Sequence, residues 1–241
     1  MGRRRACDDA AMSKKSLTQV SEEESGDAAD AGRRRYADQA YDALESMIAT
    51  LRLKPGAPIV EAQLIELTGL GRTPTREALM RLVSCGLITQ QPRRGLQVSE
   101  IRLAEHLDLI EARRALERLI AATAARRAAP HQREELLACA EAMTAAAARG
   151  ELHGYMAADQ ALDRVIHAAC RNPAAVAAVI PMAIQCRRFW YAYQHQGDMA
   201  LGAQLHLALA QAIALGEPEA ATQACEALMD YLRGFAQAVI A

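Results

Sequence analysis

The stretch GRTPTREALMRLVSCG, Gly71 to Gly86, decides how the chain is read. Thr73 is placed to cap the free amide groups of a first helical turn. Pro74 follows at the first helical position, where its missing N–H costs nothing. Ala78, Leu79, Leu82 and Val83 then recur at helical spacing, so one face of this helix is expected to be buried. Arg72, Thr75 and Arg76 remain at the N-terminal end, where guanidinium groups and unpaired backbone amides can meet phosphate together. No acidic partner is expected on that face. A helix of this kind enters the major groove of DNA with its N-terminal residues toward the bases.

Working outward, Tyr41, Leu44, Met47, Ile48 and Leu51 mark a preceding amphipathic helix that ends at Pro55-Gly56, and VEAQLIEL supplies a second helix near Glu61 to Thr68. Leu87 to Gln90 and Leu96 to Ser99 read as two short strands, with Pro92 to Gly95 as the wing between them. These elements, with R-T-P-T-R-E-A-L at Arg72 to Leu79 and Arg93-Arg94-Gly95 at the wing tip, resemble the winged helix-turn-helix of the GntR family of bacterial transcription regulators. The resemblance runs from Tyr36 to Ser99. It implies that Arg72, Thr73, Thr75 and Arg76 contact DNA from the recognition helix, that Arg94 and Gly95 do so from the wing, and that the wing lies toward the minor groove. It also implies a homodimer on palindromic half-sites of double-stranded operator DNA, since the protein's two-fold symmetry is copied into the operator.

The 241 residues can hold this domain and one more, and half of them are hydrophobic enough to build cores in both. The formal net charge of -1 says little, because an acidic second domain can mask a locally basic reading head. The six cysteines are scattered without CxxC spacing, and most lie in apolar helical patterns and read as small buried hydrophobes. No apolar run is long enough to span a bilayer and no signal-peptide core is present, so a cytoplasmic protein without membrane contact is expected. Residues 1–32 alternate Arg and Lys clusters with acidic runs and have almost no large apolar side chains, which predicts a disordered tail. Its basic clusters either reach DNA as an arm or are simply solvated. The winged domain is then 33–100.

From Ile101 the composition becomes rich in Ala, Leu, Arg and Glu, and the whole chain is expected to be mainly α, with an all-helical bundle over 101–241 for effector binding and dimerisation. Helices are predicted near Leu103 to Ala128, His131 to Arg149, Tyr155 to Cys170, Pro173 to His195, Met199 to Leu215 and Pro218 to Val239. Asp163 and His167 are four residues apart on one helix, which suits either an ion pair or a shared cation. Arg113 is four residues before Glu117, so it either pairs with that glutamate or offers its fork to a carboxylate. Arg187 and Arg188 are further candidates. Phe189, Trp190, Tyr191 and Tyr193 wall a pocket or form plain core. His106, His131, His153 and His195 read as surface or core residues.

EARRALE at Glu111 to Glu117, Asp163 to His167 followed by Asn172-Pro173, and His206 with Ala212-Ile213 and Gly216 resemble the FCD ligand-binding domain of the FadR-like subfamily. That resemblance implies a divalent metal ion of the Zn, Ni or Mn class on Asp163, His167 and His206, and a small organic acid held by Arg113. The usual fourth ligand falls on Leu228, which cannot ligate. Either water or the effector completes the site, or the metal is absent. The expected function is a ligand-responsive DNA-binding regulator that senses a small carboxylate. The alternatives are a metal-dependent helical enzyme activating water on Asp163, His167 and His206, and a regulator without effector binding. The enzyme reading lacks a G-x-S-x-G elbow, a P-loop and H-E-x-x-H.

Overall fold

The computed structural model describes Gly32, residues 35–93 and residues 95–241, so the expectations for the N-terminal tail and for Arg94 fall outside the described residues. Helix α1, described over residues 35–49, turns Ala40, Tyr41, Leu44, Met47 and Ile48 to one buried face. These side chains meet Leu64 of α2 (Glu61–Thr68), Ala78, Leu79 and Leu82 of α3 (Arg72–Ser84), and Leu87, Ile88 and Val98 of the hairpin. Strands β1 (Ile88–Gln91) and β2 (Gly95–Val98) pair antiparallel with Ile88 opposite Val98 and Gln91 opposite Gly95, one residue away from the predicted bounds. Gly56 adopts φ +75°, and its N–H reaches the Val98 carbonyl at 3.0 Å. The Pro55-Gly56 loop is thereby stitched to the wing.

The start of α3 differs from the sequence reading. Gly71 is the N-cap, no side chain caps the helix, and Arg72 is its first residue. Pro74 therefore sits third, still among the positions whose N–H has no partner within the helix. Thr75 is wholly buried, and its hydroxyl donates to the Gly71 carbonyl at 2.9 Å.

Six helices follow: α4 (Leu103–Arg127), α5 (Pro130–Arg149), α6 (Leu152–Cys170), α7 (Pro173–Tyr193), α8 (Met199–Leu215) and α9 (Pro218–Ile240). Their breaks fall where the sequence places them. Gly150 and Gly216 close α5 and α8 in the left-handed conformation, which costs glycine little. Asn172 caps α7 by accepting from the Ala175 N–H at 3.2 Å. The last predicted turn of α7 tightens into a 3-10 turn at Gln194–Gln196. Helix α4 runs against α9, and α5 against α6 and α8. Ile120, Ala124, Leu136, Leu162 and Ile213 lie in one apolar core, while Tyr155, Phe189, Trp190 and Phe235 form an aromatic one.

Helix α7 belongs to both halves. Ile184 is buried in the core of the winged domain. Arg188, fully buried, donates to the hydroxyl and the carbonyl of Ser99 just after β2. Cys85, Cys139, Cys170, Cys186 and Cys225 are free thiols, and among the described residues no helix is long and apolar enough to cross a membrane.

Candidate functional site

The first turn of α3 presents Arg72 and Arg76 with side chains 76% and 66% exposed, and Thr73 is exposed beside them. Thr75 is not available to DNA, because its hydroxyl is spent on the Gly71 carbonyl inside the fold. An acidic partner is present after all. Glu61 at the start of α2 lies 2.8 Å from Arg76 Nε and 3.6 Å from Arg72 Nε. Exposed pairs of this kind contribute only about 0–1 kcal/mol, so phosphate can replace the carboxylate, and Glu61 serves to hold both arginines at one edge. At the wing, Gly95 is exposed with φ +81°, and Arg93 two positions earlier has φ +65°.

A second site lies inside the helical half. Asp159 and Asp163 are one turn apart on the same face of α6, and like charges at that spacing repel unless a cation joins them. Arg187 of α7 is that cation. Its Nε donates to Asp159 at 2.6 Å and its Nη2 to Asp163 at 2.6 Å, while Nη1 reaches Glu45 of α1 at 2.7 Å. The side chains of Arg187 and Glu45 are each only 7% exposed, so a buried charge network crosses from the helical bundle to the first helix of the winged domain.

His206 of α8 completes the network. Its Nε2 is 3.2 Å from Asp159 and its Nδ1 is 2.7 Å from the Gly202 carbonyl. Both neighbours can only accept, so the arrangement favours the doubly protonated ring. Burial opposes that charge, but Asp159 and the Gly202 carbonyl outweigh it and raise the pKa above the ordinary 6.5. Burial likewise opposes ionisation of Asp159, yet Arg187 and His206 hold its carboxyl well below the usual range. Burial pushes Glu45 upward, partly offset by Arg187. A cavity of about 30 Å³ opens beside these groups, walled by Tyr155, Trp190 and Tyr231. That is room for a water molecule or two, so an organic occupant must move side chains.

The metal set expected from sequence is not assembled. Asp163 and His206 reach the cavity, but His167 is not among its walls. Asp163 is occupied by Arg187, and both nitrogens of His206 are committed. Leu228 is buried in the apolar core. Among the described residues no three His, Cys, Asp or Glu side chains are grouped to hold one ion. The residues present therefore do not fit a divalent metal, and the water-activating triad of the enzyme reading is likewise not formed.

Arg113 lines the cavity but spends its fork on Glu117, 2.9 Å away in a buried pair. Both sequence readings of this arginine thus meet in one place. Asp159 and Glu45 were not singled out from sequence. The repulsive Asp159–Asp163 spacing is the signal that points to the first; nothing local points to the second.

The description of bacterial regulatory proteins of the gntR family matches residues 36–98, and that of the FCD domain matches residues 108–231, more than half of the chain. The chain belongs to the GntR family, with an FCD domain. An HTH-type transcriptional regulator of Agrobacterium vitis is 34% identical over 50% of this chain and 72% of its own length. A "Probable D-xylose utilization operon transcriptional repressor" of Paenarthrobacter nicotinovorans is 27% identical over 80% of this chain and 84% of its own. Among solved structures, E. coli McbR/YncC superposes with a TM-score of 0.71 at 20% identity, covering 85% of this chain and 98% of that one, a likeness of fold. This GntR protein is a DNA-binding transcriptional regulator whose FCD domain is its effector-binding half. Its α3 lies within the matched winged domain.

Proposed function

We propose that this protein acts in the cytoplasm as a homodimer that grips the two half-sites of a palindromic operator and alters its grip when a small molecule occupies the cavity between α6, α7 and α8. Arg72, Thr73 and Arg76 enter the major groove, and the wing, with Arg94 and Gly95, turns toward the adjacent minor groove. It has no catalytic role. The observation that carries this reading is the presentation of two exposed arginines at the start of α3 by a domain that Arg187 ties to a charged internal cavity. Glu117 already neutralises Arg113 in a buried pair, so this arginine offers an organic acid less than an unpaired guanidinium would.

Selection of DNA from a random pool on the full chain, followed by gel shift and light scattering, tests the proposal. An enriched inverted repeat bound by a dimer is the expected result. A pool that yields no inverted repeat, or a protein that binds only as a monomer, rejects it. A regulator that never responds to a ligand is the remaining reading, and it requires that no small molecule change the affinity for the selected repeat.

A further inference from the structure

Arg187 stands between two cavities. On one side is the small cavity with Asp159, Asp163 and the aromatic wall; on the other, an open cavity of about 380 Å³ lies between α1 and α6, with Glu45 and Gln160 in its lining. Three carboxylates there meet one guanidinium and one imidazole, so the ionised group is anionic whether or not His206 carries a second proton. Arg113 and Glu117 cancel one another. An anionic occupant that drew Arg187 away would leave the half-buried Asp159 and Asp163 facing further negative charge, which a poorly solvated interior penalises. A cation placed between the same carboxylates reverses that balance. Tyr155 and Trp190, stacked with ring centroids 5.1 Å apart, give an organic cation an aromatic surface to lie against.

Building on the effector-responsive reading above, we propose that this cavity takes a small organic cation, through an ammonium or guanidinium group that displaces Arg187 from Asp159 and Asp163 and leaves it turned into the larger cavity on Glu45. Arg187 is then the positioning residue that couples the two halves. It leaves α7, binds α6 in one state, and keeps hold of α1, the helix against which α3 packs, in both. Occupancy of the helical half thus changes what restrains the DNA-reading half, with no metal needed.

The test uses the full chain and matched probes of opposite charge. Methylammonium, butylammonium and 2-phenylethylammonium are compared with acetate, pentanoate and 3-phenylpropanoate, with zinc chloride as a further arm. Thermal unfolding and titration calorimetry give affinities, and gel shift on the selected repeat gives the coupling. At least one ammonium is expected to raise Tm, none of the acids to do so, and saturating ammonium to change operator affinity about fivefold or more. Asp163→Asn and Asp159→Asn, each checked for native helicity by circular dichroism, should weaken ammonium binding at least tenfold. Glu45→Gln should bind the ammonium while its operator affinity no longer responds. Stabilisation by the acids, by zinc alone or by no ammonium overturns the proposal, as does an undiminished response in both Asp variants or an operator response retained in Glu45→Gln. Failure of the regulator reading is separate: it would show as no selected repeat in the absence of any probe.

Discussion

Arg187 is the residue whose removal should be felt most. It neutralises carboxylates on two helices in a place that water reaches poorly, and truncation leaves Glu45 buried and Asp159 and Asp163 half-buried beside it. Losing one partner of such a network costs about 3–5 kcal/mol. Arg187→Ala is therefore expected to lower the urea midpoint by that order, and a change under about 1 kcal/mol would contradict the network. At the DNA face the effects are of another kind. Arg72→Ala should weaken operator binding and reduce the slope of log affinity against log salt by about one, as counterion release requires for one lost phosphate contact. Thr75→Val should cost about 1 kcal/mol of stability through the lost bond to Gly71 and leave that slope alone. Gel shifts at several salt concentrations, with urea melts alongside, separate the two. The exposed placement of Arg72 and Arg76 at the start of α3 was legible in the sequence because it is written within about one helical turn. Arg187 was one more candidate for the pocket, but its network was not legible, because its partners lie 24, 28 and 142 residues away, a distance at which no spacing rule speaks. Thr75 was misread for a related reason: a helix N-terminus shows which residues are near DNA, but not which of them has turned inward to the preceding carbonyl.

The helices themselves were readable wherever a break carries its own chemistry. Pro130, Gly150, Asn172 and Gly216 end or start α5, α6, α7 and α8 for local reasons, and the bounds of those helices moved by three residues at most from the reading. What periodicity cannot give is which helix lies on which. The contact between α4 and α7 illustrates this, for His106 lies flat on Phe189 with ring centroids 3.7 Å apart and an interplanar angle of 10°. Burial pushes the His106 pKa down to about 4 from its ordinary 6.5, with the charge of Arg113 acting in the same direction. The sign follows directly. The folded state prefers the neutral ring, so the contribution is complete above pH 6.5 and is lost as pH falls from there toward 4, by about 3 kcal/mol at about 1.4 kcal/mol per unit. Urea melts between pH 4 and 7 should show this loss in the natural chain and lack it in His106→Leu. An equal loss in both would mean that other groups govern the acid limb.

At the scale of the molecule, the placement of α7 decides how the chain comes apart. Ile184 fills the core of the winged domain from outside that domain's own sequence, and Arg188 binds the carbonyl of Ser99 at the junction. A winged domain cut off at residue 100 would expose to water the apolar surface that Ile184 covers, which costs about 1 kcal/mol or more, and would leave the Ser99 carbonyl to solvent. Calorimetry on the full chain is accordingly expected to show one transition, with calorimetric and van't Hoff enthalpies in agreement, and two resolved peaks would refute it. The reading head is thus not an interchangeable cassette. Moved onto another sensor it would have to be given a new α7, so recombination that swaps such domains at the short linker between β2 and α4 should yield fragile chimaeras unless the exchanged piece extends as far as Arg188. By the same coupling, heat that loosens the sensor silences the head with it, and no temperature leaves a bound but deaf regulator behind.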